Sequence, residues 1–163
     1  NEEGIRGVLI YLSIYMVMTL GAFGCVLVMR KRGQMIENIN DLAGLSRSNP
    51  PLALVFSIFL FSMAGIPPLA GFFGKFYVFM SAVNADLIGL AVIGVLTSVI
   101  GAFYYIRIVK IIYFDKPKDS FDKPIKIEIT ATLTLTGIIT AFFFAYPSPI
   151  ISGAAIAARS LLP

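Results

Sequence analysis

The fold is decided by one stretch, Phe61–Tyr77, which reads FSMAGIPPLAGFFGKFY. Within it, Pro67 and Pro68 stand between Gly65 and Gly71, and apolar residues dominate on both sides. Each proline lacks a backbone N–H and clashes with the preceding turn of a helix, so a regular helix is interrupted where the two prolines stand. The sequence therefore predicts an apolar helix that is broken between Gly65 and Gly71.

The composition around this stretch is typical of a membrane protein. Hydrophobic residues make up 58% of the 163 residues and charged residues only 13%, whereas soluble domains carry about a quarter. Four nearly uncharged stretches reach the length of about 20 residues that a membrane helix needs: residues 7–29, 48–85, 87–106 and 129–158. A helix satisfies its own backbone hydrogen bonds in lipid, so an all-α membrane protein is expected. A soluble bundle of buried helices is the alternative, but no stretch has the sustained polar face that would favour it.

Basic residues decide whether the second stretch crosses the membrane once or twice. They lie in the loops before it and after the third stretch: Arg30, Lys31, Arg32 and Arg47, then Lys116, Lys118, Lys123 and Lys126. A single crossing puts both loops on the cytoplasmic or matrix side, as the positive-inside rule requires, whereas two crossings would separate them. An unbroken helix over residues 48–85 would overshoot a hydrocarbon core of ~30 Å at about 1.5 Å per residue, which also favours a break.

We therefore predict a single membrane domain over residues 1–163 with four transmembrane helices, the second of them broken. The expected spans are residues 5–30, 51–85, 87–113 and 127–147, with polar loops at 31–50 and 114–126. The link at 84–86 and Pro163 should lie on the side opposite the basic loops. The chain begins at Asn1, followed by two glutamates rather than the basic residues of a signal peptide, so its start is interpreted as an interior position of a longer protein.

The fourth span carries a conflicting pattern. Thr130, Thr132, Thr134 and Thr136 alternate with apolar residues, which is the period of a strand. A lone strand in lipid would leave its backbone unpaired. We therefore predict a helix in which the threonine hydroxyls bond to carbonyls of the preceding turn.

Lys75 is the only charged residue in the second stretch, and ten uncharged residues separate it from the nearer end. A charge at that depth costs on the order of 3 kcal/mol, and such residues usually face a polar interior or a water-filled cavity. The alternative is a lysine that snorkels to the interface, which the depth makes difficult. If the helix restarts near Phe72, Lys75 lies in its first turn, close to the free carbonyls near Gly65. A lysine in such a place can gain and lose a proton, whereas an arginine keeps its charge.

Few other residues suggest chemistry. The chain has one cysteine, Cys25, and no histidine, which excludes an internal disulfide and a clustered thiolate metal site. Five polar residues could line a hydrated path near Lys75, although each alone is more often a helix-packing residue: Ser57, Ser62, Tyr77, Thr97 and Ser98.

The stretch Phe61–Tyr77 resembles the broken-helix signature of the antiporter-like subunits of proton-pumping NADH:quinone oxidoreductase, or respiratory complex I. The similarity continues through Gly94–Asp115 and covers most of the chain. It implies a fold of inverted helical repeats, of which this chain is the C-terminal part. It also implies that Lys75 is the terminal proton-relay lysine of the second repeat, with Gly65, Pro67, Pro68 and Gly71 forming the helix break.

Among the three sister subunits, the sequence around Lys75 is most similar to subunit N. Subunit L typically has an acidic residue after this lysine, where Phe76 stands here, and subunit M typically has a glutamate in its place. Two alternatives stay open at this point. One is a subunit of a related cation/proton antiporter, and the other is a purely structural membrane scaffold.

The resemblance also implies the surroundings of the chain. No cofactor is expected in it, because the NADH, FMN, iron–sulfur clusters and quinone of such a complex are expected in other parts. The expected partners are the other membrane-arm subunits, the preceding part of the same subunit and lipids, with no nucleic acid. The implied location is a bacterial plasma membrane or the mitochondrial inner membrane, with multiple crossings.

Overall fold

The structure is a computed structural model that describes residues 2–31, 33–117, 121–122 and 127–161. Some residues of the predicted loops and ends therefore lie outside the described part of the chain: Asn1, Arg32, Lys118, Lys123, Lys126 and Pro163.

Helices dominate the described residues. In chain order the elements are α1 (Glu2–Val28), the short strands β1 (Arg30–Lys31) and β2 (Gln34–Met35), a 3-10 turn (Ile39–Leu42), α2 (Leu45–Ser48), α3 (Pro50–Ala64), α4 (Ala70–Asn84), α5 (Ile88–Phe114), α6 (Ile127–Phe142), a second 3-10 turn (Phe143–Ala145) and α7 (Ser148–Ser160). Strands β1 and β2 pair antiparallel as a small hairpin.

Three helical segments of the described chain are long and apolar enough to cross a membrane: Glu2–Val28, Ile88–Phe114 and Ile127–Ala145. The second predicted span is instead built from two shorter helices, α3 and α4, with 15 residues each. The prediction of a mainly helical membrane chain is confirmed, and the short hairpin of β1 and β2 is the exception among the described residues.

Helices α3 and α4 follow α1 end to end in the opposite direction. Four pairs of neighbours mark their common path: Phe59 with Gly21, Ser62 with Met18, Gly74 with Tyr11, and Asn84 with Glu3. The last pair is a hydrogen bond of 3.1 Å from Asn84 Nδ2 to Glu3 Oε2. Because the pairing moves steadily along α1, α3 and α4 form one interrupted rod rather than two antiparallel helices.

Helices α6 and α7 form a second interrupted rod along α1. Leu133 of α6 lies against Gly24, Phe143 belongs to the cluster around Ile14, and Arg159 of α7 bonds to Glu2 at 3.0 Å. The sequence predicts a fourth span that ends at residue 147 and no further helix, so α7 corrects that prediction. Pro147 and Pro149 bracket the start of α7, and a proline is readily accepted in the first turn of a new helix while it ends the previous one.

The alternating threonines of α6 bond as predicted. Thr132, Thr134 and Thr136 each donate to the carbonyl four residues earlier, at 2.9, 2.9 and 2.7 Å. Thr140 repeats the bond to Thr136 at 2.7 Å. These threonine hydroxyls are therefore hydrogen-bonded within α6, and the strand-like spacing has no structural consequence.

The described parts of the two basic loops meet at one end of the bundle. Gly44 N–H donates to Ile111 O near the end of α5 at 3.3 Å, and Asp122 N–H donates to Arg30 O at 2.8 Å. The carboxylate of Asp122 accepts from Gly33 N at 2.7 Å. We call this the basic end of the bundle, and the end with Glu2, Glu3 and Asn84 the opposite end.

Single cysteines should report these two ends in the intact membrane. In the full-length protein, Arg47→Cys and Lys116→Cys should react with an impermeant maleimide from the side of the basic loops only, and Ala85→Cys from the other side only. Cys25 is fully buried, so its own reaction should be negligible. Labels at positions 47 and 116 on different faces, or at 47 and 85 on the same face, would contradict the single interrupted rod.

Candidate functional site

The break between α3 and α4 begins with a glycine cap. Gly65 has the left-handed angles φ 89° and ψ 32°, and its N–H donates to Phe61 O and Ser62 O. The N–H of Ile66 also donates to Phe61 O at 3.1 Å. Glycine takes such angles at no steric cost, which is why it commonly ends helices. This cap accounts for two of the four carbonyls that a helix end leaves without partners.

Lys75 supplies the partner for the other two carbonyls. Its Nζ donates to Met63 O at 3.0 Å and to Ala64 O at 3.4 Å. A Cβ on Gly65 would lie 3.2 Å from Lys75 Cδ, so the glycine also leaves room for the lysine stem. The side chain of Lys75 therefore reaches from α4 back over the break and completes the cap of α3.

Helix ends place opposing charges around this ammonium group. The carbonyl end of α3 carries partial negative charge and stabilises a cation, whereas the N–H end of α4 disfavours it, with an effect that fades after the first turn. The restart near Phe72 that the sequence suggested is wrong, because α4 begins at Ala70 and Lys75 lies in its second turn. The small residues Ala70 and Gly71 are buried at the start of α4, which allows the helix to begin close to the prolines. The stabilising contact with α3 is therefore direct, and the opposing one is more distant.

The hydrogen bonds of Lys75 allow its protonation state to change while the amine nitrogen keeps its position. An ammonium group has three donors, and two of them go to Met63 O and Ala64 O. The neutral amine still has two N–H bonds and gains a lone pair. Both carbonyl contacts can thus persist in either state, while the third proton, or the lone pair, faces the space beside the helix.

Ser62 joins the two halves of the broken helix. Its hydroxyl accepts from Gly71 N–H at 2.9 Å and donates to Met18 Sδ at 2.8 Å, and the side chain is fully buried. A Cβ on Gly71 would overlap the carbonyl oxygen of Ser62. The first turn of α4 therefore touches the last turn of α3 so closely that only glycine fits there.

The prolines lie on the outside of the break. Pro67 and Pro68 are exposed, with a cis peptide bond between them. Two backbone hydrogen bonds of 3.1 Å connect the break to α4. Leu69 N–H donates to Ile66 O, and Phe72 N–H donates to Leu69 O. The break is thus a short ordered turn with Lys75 on its inner side.

The other residues suggested by sequence take different positions. Ser57 is buried and donates to Ala53 O at 2.7 Å, within its own helix. Tyr77 is partly buried and packs against the cluster around Ile10. Thr97 is exposed and donates to Ile93 O and Gly94 O, each at 3.0 Å. Ser98 lines both of the cavities that Lys75 lines, whereas Thr97 lines one of them.

Two cavities meet at Lys75 and Ser98. The first, of about 350 Å³, lies between α4 and α5 and is lined mainly by apolar residues: Phe72, Phe76, Phe79, Met80, Val83, Val95 and Val99. We call it the apolar cavity. The second, of about 200 Å³, is lined by Tyr11, Tyr15, Thr97 and Tyr105 together with Met18 and Met63. We call it the tyrosine cavity. The sequence does not point to these tyrosines, because a tyrosine within an apolar helix carries no signal of which neighbour it faces.

The part of the chain that the structure describes contains no candidate metal-binding site. No group of three or more His, Cys, Asp or Glu side chains converges there. The described contacts instead hold the Lys75 amine at a fixed point, through its hydrogen bonds to Met63 O and Ala64 O.

Comparison with known proteins gives the family. A family model described as "NADH:quinone oxidoreductase/Mrp antiporter, TM" matches residues 1–101. Curated relatives with the name NADH-quinone oxidoreductase subunit N include those of Parvibaculum lavamentivorans, 58% identical over 163 residues, and Rhodospirillum rubrum, 53% identical over 161 residues. The match covers 100% and 99% of this chain, but only 34% and 33% of those relatives. The chain therefore spans about a third of the length of the relatives that it matches.

Solved structures agree with this assignment. Respiratory complex I from Thermus thermophilus with bound aureothin contains a chain with a TM-score of 0.77 and 28% identity, over 91% of this chain and 34% of that chain. The Mrp complex from Dietzia sp. DQ12-45-1b has a TM-score of 0.83 at 19% identity, over 99% of this chain and 38% of that chain, which shows the shared fold. Together with the apolar helices, these bacterial relatives identify a multi-pass protein of the bacterial plasma membrane. Since the family model covers most of its residues, this chain belongs to the NADH:quinone oxidoreductase/Mrp antiporter family of membrane proteins.

Proposed function

We propose that the chain is part of a proton-translocating membrane-arm subunit of NADH:quinone oxidoreductase, in which Lys75 relays protons inside a broken helix. In this proposal the chain crosses the membrane four times, as α1, the rod α3–α4, α5 and the rod α6–α7. The observation that carries it is the position of the Lys75 amine, held by Met63 O and Ala64 O at the break and open to two cavities.

The relay works through the fixed amine. When Lys75 is protonated, the carbonyl end of α3 stabilises the charge. When the proton leaves, the two carbonyl bonds remain and the lone pair is ready to accept another proton. A lysine is suited to this because it can lose its charge when buried, whereas an arginine cannot. Ser98 is a candidate to exchange protons with Lys75 directly or through water, because it borders both cavities that Lys75 lines.

Redox chemistry is assigned to other subunits. NADH, FMN, iron–sulfur clusters and quinone would be bound elsewhere in the complex, and this chain would only move protons. Its partners would be the neighbouring membrane-arm subunits, the remainder of its own subunit and lipids. The outer face of α5 suits such surroundings, because apolar side chains project from it along its length: Ile93, Leu96, Val99, Ile100 and Phe103 are each at least 60% exposed.

The second candidate is a subunit of a cation/proton antiporter without redox partners. The fold likeness to the Mrp complex supports it. Sequence favours the first candidate, since the relatives with 58% and 53% identity are named subunit N of NADH-quinone oxidoreductase.

Purification of the tagged full-length protein from its own membrane distinguishes the two. We expect mass spectrometry to find flavin- and iron–sulfur-containing subunits in the same particle, and NADH to drive quinone reduction by that particle. Co-purification with antiporter subunits alone, in a particle without NADH oxidation, would support the second candidate instead.

A further inference from the structure

One hydroxyl at the break bonds differently from the other buried hydroxyls of the described chain. Those of Ser57, Thr136 and Thr140 each donate to the carbonyl four residues earlier in their own helix, which is a common bond of serine and threonine inside a helix. The hydroxyl of Ser62 instead donates to Met18 Sδ on α1, at 2.8 Å. The side chain of Ser62 is therefore used for contacts between helices.

The hydrogen bonds of Ser62 have a defined direction. A backbone N–H only donates, so the bond of 2.9 Å from Gly71 N–H makes the serine oxygen the acceptor. The proton of the hydroxyl then goes to Met18 Sδ, which has no proton of its own and is a weak acceptor. The bonds thus run from α4 through α3 to α1.

The three helices are in close contact where these bonds meet. A Cβ on Gly71 would overlap the carbonyl oxygen of Ser62 and would lie 3.1 Å from Met18 Sδ. All three residues are buried. We call Met18, Ser62 and Gly71 the three-helix contact. It fixes where the first turn of α4 lies against α3.

The three-helix contact lies one helical turn from Lys75. Gly71 and Lys75 are four residues apart on α4, about 6 Å along the helix, and residues at this spacing lie on the same face. Gly71 meets Ser62 of α3. The Lys75 amine binds the carbonyls of the next two residues, Met63 and Ala64. One face of α4 therefore meets consecutive residues of α3, and a shift of its first turn would move the amine away from both carbonyls.

We propose that Ser62 and Met18 are positioning residues for Lys75, which hold α4 against α3 so that the amine stays at the carbonyls of Met63 and Ala64. This inference rests on the proposed relay at Lys75 and adds the contacts that place its amine. Neither residue exchanges a proton in this role. Helix α1 acts on the relay through Met18, by way of the hydroxyl of Ser62.

Ser62→Ala tests this role in the full-length subunit within the assembled complex, with Ser57→Ala as the matched control. Both variants remove a buried serine hydroxyl from α3, but that of Ser57 bonds within its own helix. Ser62→Ala should slow NADH-driven proton pumping severalfold per assembled complex. The loss should be smaller than in Lys75→Ala, because the flexible lysine stem can follow part of the shift. Ser57→Ala should pump at the unchanged rate.

The solvent isotope effect separates positioning from a general loss of structure. A misplaced amine slows the proton transfer itself, so the ratio of the pumping rates in normal and heavy water should rise in Ser62→Ala. Poor assembly lowers the amount of active complex and leaves this ratio as it was. An unchanged pumping rate in Ser62→Ala, or a slower rate with an unchanged ratio, would overturn the role of Ser62.

Met18→Leu is the second variant, because leucine keeps the approximate volume of methionine and lacks the sulfur acceptor. Its control is Met29→Leu, the same change at a fully buried methionine outside the three-helix contact. Met18→Leu should slow pumping less than Ser62→Ala, since a thioether is a weak acceptor, and should also raise the isotope ratio. If Ser62→Ala does not assemble, Met18→Leu decides, and behaviour equal to that of Met29→Leu overturns the proposal.

Lys75→Ala in the same series keeps the relay and its positioning apart. Normal pumping by Lys75→Ala would refute the relay itself. Impaired pumping by Lys75→Ala, together with normal pumping by Ser62→Ala and Met18→Leu, would refute the positioning role alone.

Discussion

Assembled enzyme that carries Lys75→Ala should move fewer protons per NADH oxidised than the unchanged enzyme. The amine held at the break would be gone, and neither Met63 O nor Ala64 O can bind and release a proton in its place. A positioned acid–base group contributes typically 10²–10⁴-fold to a proton transfer, so transfer by this route should slow by roughly 100-fold or more. Where pumping is tightly coupled to electron flow, quinone reduction should fall as well.

Two further substitutions separate the relay from a structural role. Lys75→Arg keeps the charge and could still reach the carbonyls of α3, but arginine does not release its proton, so it should assemble and remain impaired. Lys110→Ala is the matched control, because this lysine is exposed at the basic end and pairs only with Asp115 among the described residues, at 3.2 Å. Pumping by Lys75→Ala at the unchanged ratio and rate, in fully assembled complex, would show that Lys75 caps α3 and does nothing more.

Local sequence signals were sufficient to predict the break and its lysine. The two prolines permit few alternatives, because each lacks a backbone N–H and clashes with the preceding turn of a helix. The glycine before them can take the left-handed angles that end a helix. A charge ten residues from the nearest end of an apolar stretch is equally distinctive. The sequence does not give the exact partners of Lys75. They depend on α4 starting at Ala70 rather than near Phe72, which follows from the fit of Gly71 against Ser62.

Features that depend on contacts between distant residues could not be predicted in the same way. The second interrupted rod is an example, because Pro147 and Pro149 resemble the end of a span and only the packing of α7 on α1 shows that the rod continues. The tyrosine cavity is another. Tyr11 and Tyr105 are 94 positions apart in the sequence and come together only through the parallel course of α1 and α5.

Gly71→Ala should disrupt the contact between the first turn of α4 and the last turn of α3. It should destabilise the protein more than a methyl group added at any other position of the break. The new Cβ would overlap the backbone carbonyl of Ser62, and backbone cannot move aside as the end of a flexible side chain can. Overpacking of a core typically costs 1–3 kcal/mol and occasionally more; because backbone is involved, we expect about 3 kcal/mol or more. The measurable result is loss of assembled complex, or a marked fall in its melting temperature.

Two comparison variants show whether the contact itself is responsible. Gly89→Ala adds the same methyl group to a helical position with no atom within 4 Å, so stability should stay the same or rise slightly, since alanine favours helix over glycine. Ser62→Ala adds no bulk but leaves the buried N–H of Gly71 without its acceptor, which should cost about 1–3 kcal/mol. The expected order of melting temperatures is therefore Gly89→Ala highest, Ser62→Ala next and Gly71→Ala lowest. If Gly71→Ala has the same melting temperature as Gly89→Ala, the two halves of the helix are not in the close contact that holds Lys75 against the carbonyls of α3.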